Sequence, residues 1–306
     1  MRNSDFVVEL AVLTNQPRKR LPPWLKRPLP MGDFAHTVDV VAASGVATVC
    51  QEARCPNLSE CWSKRHATFM ILGDKCTRRC HYCAVDTARP DPPAEDEPDR
   101  LADAVAKLRL RHVVITAVAR DDLEDEGAGH FARCVRAIHI ACPETTVEVL
   151  PADFHARRDC IEELCDAGPE LYNHNLEMVE RLTPKIRPQG KYRRSLDVLR
   201  IVKEIAPRLL TKSGVMVGLG ETIDELHRTF EDLRMVGCDV LTIGQYLQPT
   251  LDRHHPVEKF YHPDEFEQLG ELARSLGFVS VASGPFVRSS YNAAEVFEES
   301  RRRLGV

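Results

Sequence analysis

Short apolar runs rich in β-branched residues recur along the chain: ATFMILG at 67–73, HVVITAV at 112–118, TTVEVL at 145–150, ELYNHN at 170–175, SGVMVGL at 213–219, DVLTIGQY at 239–246 and FVSVASG at 278–284. Each has the length of a strand rather than of a helix. Between most of them the apolar positions shift to helical spacing, in DRLADAVAKLRL, RDCIEELCDA, RRSLDVLRIVKEI and IDELHRTFEDLRMVG. A further helix is expected from Phe34 to Ala47, and another from near Asn292. Alternating strands and helices predict parallel βα units in a sheet that is open or curled into a barrel. In such barrels functional groups lie at the carboxyl ends of strands and in the loops that follow. The polar clusters obey that placement: CTRRCHYC follows the first strand, RDD the second, NHNLE lies on the fourth, GLGE ends the fifth and GQYLQP closes the sixth.

Two segments fall outside the alternation. Pro17, Pro22, Pro23, Pro28 and Pro30, with basic residues between them, predict an extended amino-terminal arm wrapping a surface. The acidic, proline-rich ARPDPPAEDEPDR at 88–100 reads as a solvated linker. With 306 residues the chain can form one large domain or two ordinary ones. Lys and Arg total 41 against 46 Asp and Glu, a net charge of −5, so no overall positive excess is available to hold a polyanion, and nucleic acid is not an expected partner. No apolar run is long enough to span a membrane. The opening MRNSDFVVELAVLTNQPRKR carries Asp5 and Glu9 and lacks the layout of a signal peptide, so the expected location is cytoplasmic.

Cysteine changes the picture most. Of eleven, six crowd into residues 50–83, and such crowding favours metal or redox chemistry over a disulfide framework. Cys76, Cys80 and Cys83 form CxxxCxxC in the loop after the first strand. Thiolates at this spacing let one loop fold around an iron–sulfur cluster, and three ligands to a four-iron cluster leave one iron open. A zinc site completed by His81 or a distant residue is the alternative, and with it a zinc-stabilised interaction protein without catalysis. Cys50, Cys55 and Cys61 form a second triplet just upstream. Cys134, Cys142, Cys160, Cys165 and Cys238 fit no ligand spacing and read as small buried hydrophobes.

CxxxCxxC resembles the signature of the radical S-adenosylmethionine enzymes, in which the open iron chelates S-adenosylmethionine and one electron yields a deoxyadenosyl radical. VCQEARCPNLSECW, ATFMILGDKCTRRCHYCAV, ITAVARDDL, YNHNLE, TKSGVMVGLGET, GCDVLTIGQYLQP and SGPFVRSSY, in that order from Leu21 to Tyr291, resemble the lipoyl synthase family. That resemblance implies a partial (β/α)6 TIM-like barrel at 65–284, an amino-terminal extension at 1–64 carrying auxiliary cysteines, and a carboxy-terminal extension at 285–306 with the RSSY motif. It implies insertion of two sulfur atoms, at carbons 6 and 8 of an octanoyl chain amide-linked to a carrier lysine. Cys76, Cys80 and Cys83 would hold the radical-generating four-iron cluster. Cys50, Cys55 and Cys61 would hold an auxiliary four-iron cluster, the sulfur source, whose fourth ligand would be Ser290.

Further positions follow from the same resemblance. Tyr82, Asn173, Asn175, Glu177, Lys212 and Glu221 would contact S-adenosylmethionine, with Arg120, Asp121 and Asp122 as further polar contacts to it or to substrate. In a strand, Asn173, Asn175 and Glu177 would share one face and His174 the other; a buried polar network without ligand is the alternative. His254 and His255 match the family and are expected on an exposed loop. The implied partners are octanoylated carrier domains of 2-oxoacid dehydrogenase complexes and of the glycine cleavage H protein, with ferredoxin or flavodoxin as reductant and a monomeric enzyme. A methylthiotransferase acting on transfer RNA is the runner-up, and this chain is too short and acidic for that family's usual extra domains. The chain departs from the family pattern at Pro151 and Ala156 in LPADFHA and at Ala88, which puts local loop geometry in doubt but removes no ligand.

Overall fold

The computed structural model describes residues 20–26 and 33–305, so most of the expected amino-terminal arm lies outside the described residues. Within it, Trp24 of a 3-10 turn at Pro23–Leu25 donates to the Tyr261 carbonyl at 3.1 Å. In chain order the strands are β1 (Ala47–Thr48), β2 (Thr68–Ile71), β3 (Lys75–Cys76), β4 (Asp86–Thr87), β5 (His112–Ala117), β6 (Thr146–Leu150), β7 (Leu171–Asn173), β8 (Leu210–Val217), β9 (Val240–Gln245) and β10 (Ser280–Gly284). The helices are α1 (Phe34–Ser44), α2 (Val49–Glu52), α3 (Leu58–Ser63), α4 (Glu97–Leu108), α5 (Ala128–Ala141), α6 (Arg158–Asp166), α7 (Thr183–Ile186), α8 (Tyr192–Ile205), α9 (Ile223–Met235), α10 (Pro263–Ser275) and α11 (Ala293–Leu304).

The main sheet runs β1-β2-β5-β6-β7-β8-β9-β10, antiparallel at β1 and parallel throughout the rest. Six βα units and a closing strand thus form the open arc of a partial barrel. All seven apolar runs become parallel strands; β2 and β5 to β9 bury both faces, with Phe69, Ile71, Ile115, Val147, Val149 and Leu241 essentially inaccessible to solvent, while β10 at the edge is half-buried beyond Ser280. Full burial of each such side chain contributes about 1.5–3 kcal/mol. Among the described residues no helix is long and apolar enough to cross a membrane.

Local chemistry sets the boundaries. Helix α1 stops at Ser44, three residues short of the expectation, because Gly45 adopts a left-handed φ of 61° and frees Ala47–Thr48 to pair with Phe69 and Met70. Helix α9 opens with a capping box between Thr222 and Glu225, and α10 with one between His262 and Glu265. The expected solvated linker is shorter than 88–100: α4 begins at Glu97, whose buried carboxylate accepts from the Leu72 amide at 2.9 Å and contacts His130 at 2.7 Å. Cys134, Cys160 and Cys238 are buried, and Cys142 and Cys165 are half-buried against the core.

Inside the arc, below the site, the Glu148 carboxylate accepts from Lys212 Nζ at 3.0 Å and from Asn173 Nδ2 at 2.7 Å. Helix α11 seals this end, with Phe297 stacked on the His112 ring at 5.2 Å and packed with Leu171 and Leu210.

Candidate active site

The CxxxCxxC loop leaves the end of β3 and is tied down at almost every residue. Thr77 donates to the Ala119 carbonyl at 2.9 Å, the His81 amide to the Ile186 carbonyl at 2.7 Å, and His254 Nε2 to the Cys83 carbonyl at 2.8 Å. Arg78, buried inside the motif, pairs with Asp121 at 2.6 Å and Asp153 at 2.8 Å. Cys76 Sγ accepts from the amides of Arg78 and Ala119, both at 3.4 Å, contacts of the kind that tune a ligating thiolate. Burial pushes the Cys80 thiol up to about 11 and Cys83 up to about 12. Buried thiols so placed keep their protons until a cation replaces them.

The second triplet lies on α2, α3 and the turn between them; of its members Cys55 lines a cavity at the carboxyl end of the strands and Cys50 and Cys61 do not. Cys50 lies on α2, Cys55 in the turn after it and Cys61 on α3; burial raises the Cys50 thiol, with Cys55 close enough to raise it further. The segment after β10 is stitched to this region. Asn57 donates to the Phe286 carbonyl at 2.7 Å, and the Tyr291 hydroxyl to Glu60 at 3.1 Å. Gly244 permits this closeness, since a Cβ there would collide with the Val287 carbonyl oxygen. A cavity of about 1530 Å³ at the carboxyl end of the strands is lined by Cys55, Cys76, Cys80, Cys83 and Ser290 together. Among the described residues the one trio of potential ligand atoms within 4.8 Å of one another is Asp121, Glu126 and His155, which surrounds the Arg78 guanidinium rather than the cysteines.

The expected contacts divide. Tyr82, Asn175 and Glu177 line the cavity; burial raises the Glu177 carboxyl, with Arg187, Asn175 and Tyr82 acting against that rise. The Asn175 Oδ1 is buried without a partner, as a ligand-facing acceptor would be. Asn173, Lys212 and Glu221 do not line it. Asn173 and Lys212 are spent on Glu148, and the Glu221 carboxylate accepts the Gly218 and Leu219 amides at 2.7 and 2.9 Å, shaping the turn. The strand alternation expected for NHNLE is also replaced. Strand β7 ends at Asn173, the chain bulges, and Glu177 rejoins β8 opposite Val215 with φ 72°, which turns His174, Asn175 and Glu177 all to the cavity. Arg120, Asp121 and Asp122 lie behind the wall: Arg120 is buried and pairs with Asp122 at 2.9 Å, and Asp121 serves Arg78.

His254 is not on an exposed loop; it is buried against Cys83, and His255 is half-buried with its amide donating to the His81 carbonyl at 2.8 Å. Three cavity residues had no signal in spacing: Arg78, Arg187 and His174. Arg187 is buried beside Glu177 and Cys80 and donates to Ser195 Oγ at 3.0 Å; His174 contacts the same oxygen at 3.1 Å. Burial with two basic side chains nearby pushes His174 down to about 4, so it is neutral at pH 7.

A profile of the radical S-adenosylmethionine superfamily matches residues 70–233, and one of the N-terminal domain of lipoyl synthase matches residues 3–55. The lipoyl synthase of Rubrobacter xylanophilus is 52% identical over 282 residues, covering 92% of this chain and 88% of the relative. That of Symbiobacterium thermophilum is 51% identical, covering 98% and 95%. Among solved structures, methylornithine synthase aligns with a TM-score of 0.54 at 12% identity, covering 80% of this chain and 81% of that one. The hydrogenase maturase HydG from Carboxydothermus hydrogenoformans aligns at 0.55 and 12%, covering 87% and 77%; at such identities the likeness is one of fold.

Proposed function

This chain belongs to the lipoyl synthase family of the radical S-adenosylmethionine superfamily, a family of sulfur-inserting enzymes that use S-adenosylmethionine and a four-iron cluster, and from that premise we propose how its residues divide the work. Cys76, Cys80 and Cys83 hold the radical-generating cluster. Cys50, Cys55, Cys61 and Ser290 hold a second, auxiliary cluster. The single observation that carries this reading is the convergence of Cys55 and Ser290 with the CxxxCxxC thiols on one cavity. Bound there, S-adenosylmethionine and the two clusters supply one-electron hydrogen abstraction and sulfur.

The chain's own groups position and shield. Arg78, Thr77 and His254 hold the cysteine loop so that Cys76, Cys80 and Cys83 line the cavity, where they would hold the cluster. Asn175, Glu177 and Tyr82 offer acceptors and a ring face to S-adenosylmethionine, and Arg187 balances the charge of Glu177. A serine oxygen is a harder ligand than thiolate, so Ser290 would hold iron less firmly than Cys50, Cys55 and Cys61.

The substrate class is an octanoylated lysine on carrier domains such as those of 2-oxoacid dehydrogenase complexes and the glycine cleavage H protein. A monomeric cytoplasmic enzyme reduced by ferredoxin or flavodoxin completes the proposal. The test is anaerobic turnover of an octanoyl-lysine peptide with S-adenosylmethionine and a low-potential reductant, read by mass spectrometry. Gain of two sulfur atoms, each replacing a carbon-bound hydrogen and carrying its own proton as a thiol under these reducing conditions, is expected; absence of added sulfur with both clusters verified would overturn it.

A further inference from the structure

We infer that the mouth of the cavity is a docking surface for an acidic stretch of the carrier flanking the acylated lysine; this rests on the function proposed above. The protein as a whole is acidic, at −5, yet the cavity is lined by Arg54, Arg78, Arg79, Lys185, Arg187, Arg253 and Arg288 against Glu177, Asp252 and Glu258. The basic island is therefore local, and its outermost members are exposed: Arg54, Arg79, Lys185 and Arg253. Among the described residues Arg54, Arg79 and Lys185 have no carboxylate within 4.0 Å, whereas surface arginines such as Arg65, Arg136 and Arg193 are neutralised by Asp33, Glu163 and Glu180.

Apolar surface accompanies the charge. Leu21 and Leu251, at 47% and 48% exposure, lie on the same lining. Apolar patches bordered by unneutralised cations are the composition of a protein-binding surface rather than of a solvated rim. A carrier that presents its acyl-lysyl arm to this mouth brings its flanking residues against those cations, so opposite charge there raises the encounter rate and orients the arm inward.

The experiment uses the full-length protein with both clusters and two fluorescent octanoyl-lysine peptides of equal length. In one the lysine is flanked by Asp and Glu, in the other by Ser and Gln. Anisotropy reads binding and mass spectrometry reads turnover. At low salt the acidic peptide should bind roughly fivefold tighter, with the advantage vanishing near 0.5 M salt, where screening is nearly complete over about 4 Å. In the Lys185→Glu/Arg253→Glu variant the advantage should vanish or reverse, while affinity for the neutral peptide and the cluster absorption stay at wild-type values. A Lys185→Gln/Arg253→Gln variant should fall between the two, which separates charge from misfolding. Equal affinities in the wild type, or an advantage that survives in the charge-reversed variant, would overturn the docking surface. Binding that follows this pattern without sulfur gain would count against the proposed function and leave the docking surface supported.

Discussion

Arg78 stands inside the cysteine motif and holds no iron; its guanidinium is buried between Asp121 and Asp153, and Asp153 lies wholly out of solvent. Removing that cation leaves Asp153 with Arg194 as its one ion-pair partner among the described residues, beside the His155 amide. Arg78→Met should therefore cost about 3 kcal/mol in a denaturant titration, the scale of breaking a buried pair, while Arg79→Met, on the exposed side of the motif, should stay within about 0.5 kcal/mol of wild type. His174 supplies the pH dependence. Its folded value of about 4 lies below the ordinary 6.5, so between these pH values the unfolded chain binds more protons. Stability contributed by neutral His174 is complete above pH 6.5 and is lost as pH falls toward 4, on the order of 2–3 kcal/mol. Denaturation midpoints measured across that range should drop in the wild type and stay flatter in His174→Gln. At this scale the cysteine triplets stood out in the sequence as candidate ligands because metal ligation calls for a short spacing. Arg78, Arg187 and His174 were not, because the groups that give them meaning, such as Asp153 and Ser195, are distant in sequence and meet only in the fold.

Among the elements, the strands were the most readable feature, since burial on both faces leaves an unbroken apolar run. What sequence periodicity could not convey is where a strand yields to the site. The run ELYNHN reads as one strand, yet β7 stops at Asn173, where Asn175 and Glu177 turn into the cavity and Glu177 takes up a left-handed φ. Gly244 on β9 is a second such place. It sits against the Val287 carbonyl, three residues before Ser290, and a methyl group there must push the post-β10 segment outward. Gly244→Ala should cost about 1–3 kcal/mol as overpacking. If Ser290 holds the proposed auxiliary cluster, the substitution should also lower bound iron from about eight toward about four per chain, since that cluster alone would depend on the segment. Iron and sulfide assays after anaerobic reconstitution would check it; loss of both clusters together would show the segment to be no separate unit.

At the scale of the whole molecule, two kinds of stability coexist. The sheet and its helices enclose an extensive hydrophobic core, and burial keeps the Cys83 thiol neutral without metal, so removing metal should not unfold the barrel. The contacts that join α3 to the segment after β10, such as Asn57 to the Phe286 carbonyl and Tyr291 to Glu60, should loosen instead. Chelation under reducing conditions should therefore raise hydrogen exchange in residues 49–63 and 285–292 while β5 to β9 keep their protection. A uniform rise across the sheet would contradict that division. The stitch from Asn57 to Phe286 spans 229 residues of sequence. A ribosome delivers the first of these long before the second, so the nascent chain emerges with three cysteines waiting for a serine not yet translated. Loading of the proposed auxiliary site would thereby wait for the RSSY segment, and a message truncated before those codons would yield a barrel without the proposed fourth ligand.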